Sequence, residues 1–188
     1  MKKVSILVIT VFSFLFTQNA FSQSKSSYGN SGQTNPMQVG SMFVNVGVGF
    51  GAGYKNPTYG TPWGFKVAAE YGVWEAGPGV ITLGPEIGGT FSGDHHNGNS
   101  YISSTFVVAG RAAWHYGWNV KGLDTYGGFS AGIGFNHYTY SGNDYNSPIP
   151  YFGAFAGASY FVTPTFGFNS EFGYDITNFQ VGVVFKIQ

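Results

Sequence analysis

Apolar and polar residues alternate with a period of two along most of this chain. Met42, Val44, Val46, Val48, Phe50, Ala52 and Tyr54 share one parity, while Ser41, Asn45, Gly47, Gly49, Gly51 and Gly53 share the other, with Phe43 out of pattern. A strand sends successive side chains to opposite faces, so such a stretch has one greasy face and one small or polar face. The pattern recurs over Trp63 to Trp74, Val80 to Phe91, Tyr101 to Trp118 and Leu123 to Tyr140. It returns from Phe166 to about Tyr174 and ends the chain from Phe179 to Gln188. Tyr151 to Val162 is read as a strand although both of its parities are apolar or small. The periodicity predicts eight strands. Pro85 lies on the apolar parity of the third, where it lacks a ladder donor and predicts a local break.

The connections alternate in length. Lys55 to Pro62, Gly93 to Ser100 and Ser141 to Pro150 are polar and turn-rich, and are expected as loops. Glu75 to Gly79, Asn119 to Gly122 and Thr163-Pro164 are tight. Long connections on one side and short ones on the other are the habit of membrane barrels. Ile176-Thr177-Asn178 breaks the alternation by being short.

The first 22 residues stand apart from this rhythm. Met1-Lys2-Lys3 is a basic start, Val4 to Phe16 an apolar stretch, and Ala20-Phe21-Ser22 a small-x-small site. That is a secretory signal peptide, cleaved after Ser22 and too short in its apolar part to span a bilayer. Residues 23–39 are rich in Ser, Asn, Gly and Gln and read as a flexible periplasmic lead-in, with residues 40–188 as the barrel. Loss of Lys2 and Lys3 leaves six basic residues of eight against eight acidic ones, a net charge of −2, which excludes a nucleic-acid footprint. The chain has no cysteine and so no disulfide framework.

Composition then decides which face is inside. Only 9% of residues are charged, against about 25% in soluble domains. Aromatics reach 19% and there are 30 glycines. A soluble barrel would turn its apolar face inward and cover itself in charge; here the other face is Gly, Ser, Thr and Asn, a poor water-facing surface. The apolar face is therefore expected to meet lipid. Tyr54, Trp63, Tyr101, Tyr138 and Tyr174 fall at one rim, and Trp74, Trp114, Tyr116, Trp118 and Phe185 near the other. Two such girdles are what amphipathic rings form at lipid–water interfaces.

The last strand adds a resemblance. Gln180, Gly182, Phe185 and Ile187 read polar-x-Gly-x-x-apolar-x-apolar, which resembles the C-terminal assembly signal of bacterial outer-membrane barrels, with Gln188 as an extra terminal residue. The mature chain as a whole resembles the small eight-stranded outer-membrane proteins of the OmpX and OmpA barrel type. That resemblance implies an all-β, antiparallel, up-and-down transmembrane barrel in a Gram-negative outer membrane. It also implies outer-membrane lipid and lipopolysaccharide as surroundings, barrel-assembly machinery during insertion, and a monomer.

Few residues are candidates for chemistry. Lys66, Glu70, Glu86, Arg111, Glu171 and Lys186 share the lumen parity and balance in charge. The interior of an eight-stranded barrel is just wide enough for side chains to fill, so these residues are expected to plug the lumen as ion pairs. A charged pore lining, or a conduit for apolar molecules as in OmpW-like barrels, is the alternative. Asp94, His95 and His96 lack metal-ligand spacing and are expected in a solvated loop. His137 and Thr139 share the lipid-facing parity near the rim, like the His-x-Ser of lipid A deacylases, but no carboxylate of matching parity stands beside them to orient the imidazole. No enzyme, cofactor or metal is expected. Tyr59, Asn97, Asn99, Asn143, Asp144 and Tyr145 are expected at loop tips, where any external binding would occur.

Overall fold

The computed structural model describes residues 35–51, 61–96, 99–140 and 143–187, with the backbone alone for 94–96, 99–101 and 140. Its strands are β1 (Met42–Phe50), β2 (Trp63–Ala76), β3 (Gly79–His96), β4 (Asn99–Gly117), β5 (Leu123–Tyr140), β6 (Asn143–Phe161), β7 (Phe166–Tyr174) and β8 (Phe179–Ile187). Each pairs antiparallel with the next, and β8 returns to β1 with Met42 opposite Ile187 and Phe50 opposite Phe179. The ring is closed, so no strand edge faces lipid within it.

The face assignment of the alternating pattern holds. Val46, Val48, Ile87, Val108, Phe129, Phe152 and Phe172 are exposed on the outside, while Asn45, Lys66, Glu70, Glu86, Arg111 and Glu171 are buried inside. β6 resolves in the same way, with Phe152 outside and Tyr151 and Phe155 inside. At Pro85 the β2–β3 pairing skips from Ala68–Glu86 to Tyr71–Leu83, the break that a missing donor predicts. A bulge between Gly72 and Trp74 turns Trp74 outward, opposite Ile81.

The strands differ in length, with β2 at 14 residues between two extremes. β1, β7 and β8 have nine residues, close to the roughly 9–11 that cross a bilayer. β3 to β6 have 18 or 19, about twice that requirement. The surplus stands beyond the rim as a four-stranded sheet. This corrects two expected loops: Gly93 to Ser100 is strand to His96 and again from Asn99, and Ser141 to Pro150 is strand from Asn143. These segments read as loops because they are polar. Beyond the hydrocarbon, cross-strand side-chain pairs replace the apolar face that marks a strand in lipid. Here Tyr138 lies opposite Tyr145, with ring centroids 6.3 Å apart, and Thr139 donates to Asp144 at 2.7 Å.

Residues 35–40 are docked on the barrel. The Gly40 N–H donates to the Gly72 carbonyl at 2.9 Å and the Ser41 N–H to that of Gln38 at 3.0 Å. Met37 is fully buried.

Candidate functional site

The lumen is filled in three layers. The middle one is ionic. Lys66 on β2 meets Glu171 on β7, Asp175 at 2.6 Å and Glu86 at 3.7 Å. Arg111 on β4 spreads its guanidinium across three carboxylates: Glu70 at 2.6 Å, Glu86 at 2.9 Å and Glu171 at 2.9 Å. Its planar fork of donors suits such a task better than a single ammonium would. His115 lies between Glu70 at 3.2 Å and Asp124 at 2.7 Å, an arrangement satisfied on both sides by an imidazolium with its two donors. Tyr126 stacks on that ring at 4.9 Å. Phe155 lies 3.9 Å from the guanidinium carbon of Arg111, a cation–π contact in a dry setting.

Apolar layers close both ends. Toward the termini, Met37, Phe43, Val80 and Val184 form one buried cluster, with Phe161 packed against it. Phe43, which broke the alternation, is therefore part of a plug. Toward the hairpins, Val107, Ala109, Tyr151 and Ile176 form another. The β7–β8 turn supplies much of this second closure, because Asp175, Ile176 and Thr177 are all buried. Tyr151 donates to Asp175 and, at 3.2 Å, to Glu86, and the Asn178 N–H donates to the Phe50 carbonyl at 3.0 Å. The short connection that broke the loop pattern is a lid folded into the barrel mouth.

Five of the six expected lumen residues meet in this network. Lys186 does not: it donates to the Pro36 carbonyl at 2.9 Å and helps to hold the plug segment. Without it the expected charge balance fails, because Asp124 and Asp175 join Glu70, Glu86 and Glu171 opposite Lys66, Arg111 and His115. Sequence reasoning missed both aspartates and the role of His115. Lumen parity at strand ends was the available signal.

Glycines on the lumen face make room for these crossings. A Cβ at Gly157 would stand 2.6 Å from the Tyr126 hydroxyl and 2.7 Å from the Ser170 carbonyl oxygen. Gly157→Val is expected to cost about 1–3 kcal/mol by overpacking, read as a lower urea midpoint of the refolded protein.

The girdles are only partly placed. Trp63, Trp74, Trp114, Trp118, Tyr174 and Phe185 are exposed on the outer face, and Tyr116 packs between Trp114 and Trp118. Tyr138 instead has the lumen parity and stands above the mouth beside Tyr145. Tyr54, Tyr59 and Asn97 lie outside the described residues, as do the side chains of Tyr101, Asp94, His95, His96 and Asn99. In the assembly signal, Gln180 is buried and Phe185 and Ile187 are exposed. Asn143, Asp144 and Tyr145 are exposed strand residues rather than loop residues.

At the rim, β6 brings Asn146 and Asp144 to His137, and Thr139 stands beside it on β5. The Asn146 side-chain oxygen is 2.7 Å from His137 Nδ1, Thr139 Oγ1 is 3.4 Å from its Nε2, and Asp144 is 3.9 Å from Nε2. The expectation that no carboxylate stands beside His137 is corrected by Asp144, while the group that meets Nδ1 is the Asn146 amide rather than a carboxylate.

The fold and its apolar outer wall define a transmembrane β-barrel of eight antiparallel strands, the architecture found in bacterial outer-membrane proteins. The chain is similar to the solved structure of Ail, the attachment invasion locus protein of Yersinia pestis, with a TM-score of 0.52 and 14% identity over 80% of this chain and all of the other. It is similar also to Ail in complex with the heparin analogue sucrose octasulfate, with a TM-score of 0.51, 15% identity and the same coverage. No protein-family model and no characterised protein sequence matches the chain.

Proposed function

We propose that this protein is a sealed structural barrel of the outer membrane, non-conducting and without lumen chemistry, which meets its surroundings through the external β3–β6 sheet. One observation carries this reading: the ionic layer is shut between two apolar layers, with Met37 on one side and Ile176 on the other. A conduit needs a continuous polar or open path, and a catalytic carboxylate pair needs a substrate-sized cleft. Neither is compatible with side chains that fill the bore and are almost wholly buried.

The chemistry of the external sheet bears on what it could bind. Among the described residues, the part of the β3–β6 sheet beyond the rim, residues 92–96, 99–104, 136–140 and 143–150, holds no lysine or arginine. A sulfated polyanion, as in the Ail complex, therefore finds little positive charge here. The sheet is also guarded against strand addition. β7 pairs with β6 only from Ala154 to Phe161, and within the stretch before it Pro148 and Pro150 share one parity while the pairing with β5 runs on unbroken. Prolines fit such a strand with their missing N–H on the open side, which blunts the edge. Binding would then use exposed side chains such as Tyr145 and Asn143.

The test is conductance of the mature protein refolded into a planar bilayer, with insertion confirmed by heat-modifiable electrophoretic mobility. Silence at both polarities is expected. Steady single-channel events whose size or ion preference changes in an Arg111→Ala variant would show that the lumen conducts and would sink the sealed-barrel reading.

A further inference from the structure

We propose that Thr139, His137 and Asn146 form an ester-hydrolysing site on the outer wall of the barrel rim, acting on the acyl esters of a membrane lipid. The proposal goes beyond the sealed lumen and uses none of its residues.

The geometry follows from register. His137 lies opposite Asn146 and Thr139 opposite Asp144, on adjoining rungs of the β5–β6 ladder. The side-chain oxygen of Asn146 can only accept, so at 2.7 Å it draws the hydrogen of His137 to Nδ1. Nε2 is then left with its lone pair, the form a general base requires. Thr139 Oγ1 stands 3.4 Å from that nitrogen. A nucleophile, a base and an orienter are thus in series, the arrangement that covalent catalysis uses. The hydroxyl donates to Asp144 at 2.7 Å, which holds Oγ1 beside the imidazole. Reaction requires that proton to turn from Asp144 to Nε2, a contact that tightens when substrate is bound.

Position assigns the substrate class. Phe135 has the same parity and is exposed on the lipid-facing wall. His137 and Thr139 are the next two outward residues on that face, about 7 and 13 Å further along the strand. This is where the apolar wall gives way to polar residues, and so where hydrocarbon gives way to the ester and headgroup layer of the outer leaflet. The His137 side chain is 42% exposed, so a lipid ester can reach it.

The chemistry balances with water as co-reactant. Thr139 Oγ attacks the ester carbonyl carbon as His137 Nε2 takes the hydroxyl proton. The carbon–oxygen bond to the alcohol portion breaks, and the proton passes from the imidazolium to the leaving oxygen. Water, deprotonated by the same nitrogen, then cleaves the acyl-threonine, releasing a carboxylic acid and restoring the hydroxyl.

The experiment uses the mature chain refolded into two vesicle preparations, one of phosphatidylethanolamine and one containing lipopolysaccharide, with released fatty acid measured by mass spectrometry. Release is expected in at least one, and the comparison identifies whether the ester comes from phospholipid or from lipid A. Thr139→Val and His137→Ala are expected to lose about 100-fold or more, while Thr139→Ser retains activity. Asn146 is a positioning residue: Asn146→Ala is expected to lower kcat with KM little changed, and Asn146→Asp to recover it. All three positions are on the outer face, and folding of each variant is checked by electrophoretic mobility. No fatty acid from either preparation by folded protein, or equal release by His137→Ala, overturns the proposal.

Discussion

Arg111→Met is expected to be the most damaging single substitution in the barrel. The side chain binds Glu70, Glu86 and Glu171 at once, and its loss leaves buried carboxylates short of a cation. Removing one partner of a buried ion pair costs about 3–5 kcal/mol, and here three partners are affected. The refolded fraction at a fixed urea concentration, read by electrophoretic mobility, should fall sharply. Adding Glu70→Gln and Glu86→Gln to the Arg111→Met chain should restore part of it, because apolar or neutral replacement of a whole network is tolerated better than removal of one member. If the single variant matches the parent in urea midpoint, the network is not what holds the lumen.

The second large effect is an asymmetry between cations and acids. Five carboxylates face Lys66, Arg111 and His115. Lys66→Met deprives Glu171, Asp175 and Glu86 of their shared cation and is expected to lose about 3–5 kcal/mol. Asp175→Asn removes charge from the side in excess, and the amide keeps hydrogen-bonding capacity toward Tyr151 and Lys66. It should therefore cost markedly less, although both residues bind the same lid turn. Urea midpoints of the two variants measured side by side decide the matter. A larger loss in Asp175→Asn would mean that the turn's hydrogen bonds, and not the charge ledger of the lumen, set stability.

The lid also explains the one irregularity in the loop pattern. Ile176-Thr177-Asn178 is short because Ile176 and Thr177 turn into the bore, and of the three only Asn178 is exposed. It folds over the mouth of the three shortest strands, where Thr177 and Ile176 are buried. At the opposite end Met37 plays the matching part, held by Lys186 through Pro36. A barrel shut in this way can keep a dense ionic layer only because every charge finds a partner within it.

Strand number, the two faces and the membrane setting were legible in the sequence, because a period of two survives wherever one side of a strand faces hydrocarbon and the other a narrow bore. Lys66, Glu70, Glu86, Arg111 and Glu171 could be selected as lumen residues by parity alone. Parity also placed Lys186 with them, but it cannot report height along the barrel, and at the rim that side chain turned to Pro36. The tertiary structure alone decided which charges meet, since ring closure and strand stagger bring β2, β4 and β7 together across the bore. It also decided that Asp124, Asp175 and His115 complete the network, that Met37 and Ile176 seal it, and that polar segments beyond the rim continue as strands. The sequence signal for a strand is its apolar face, and beyond the hydrocarbon that signal vanishes while the cross-strand pairs remain. Register between β5 and β6, invisible from either strand separately, put Asn146 beside His137.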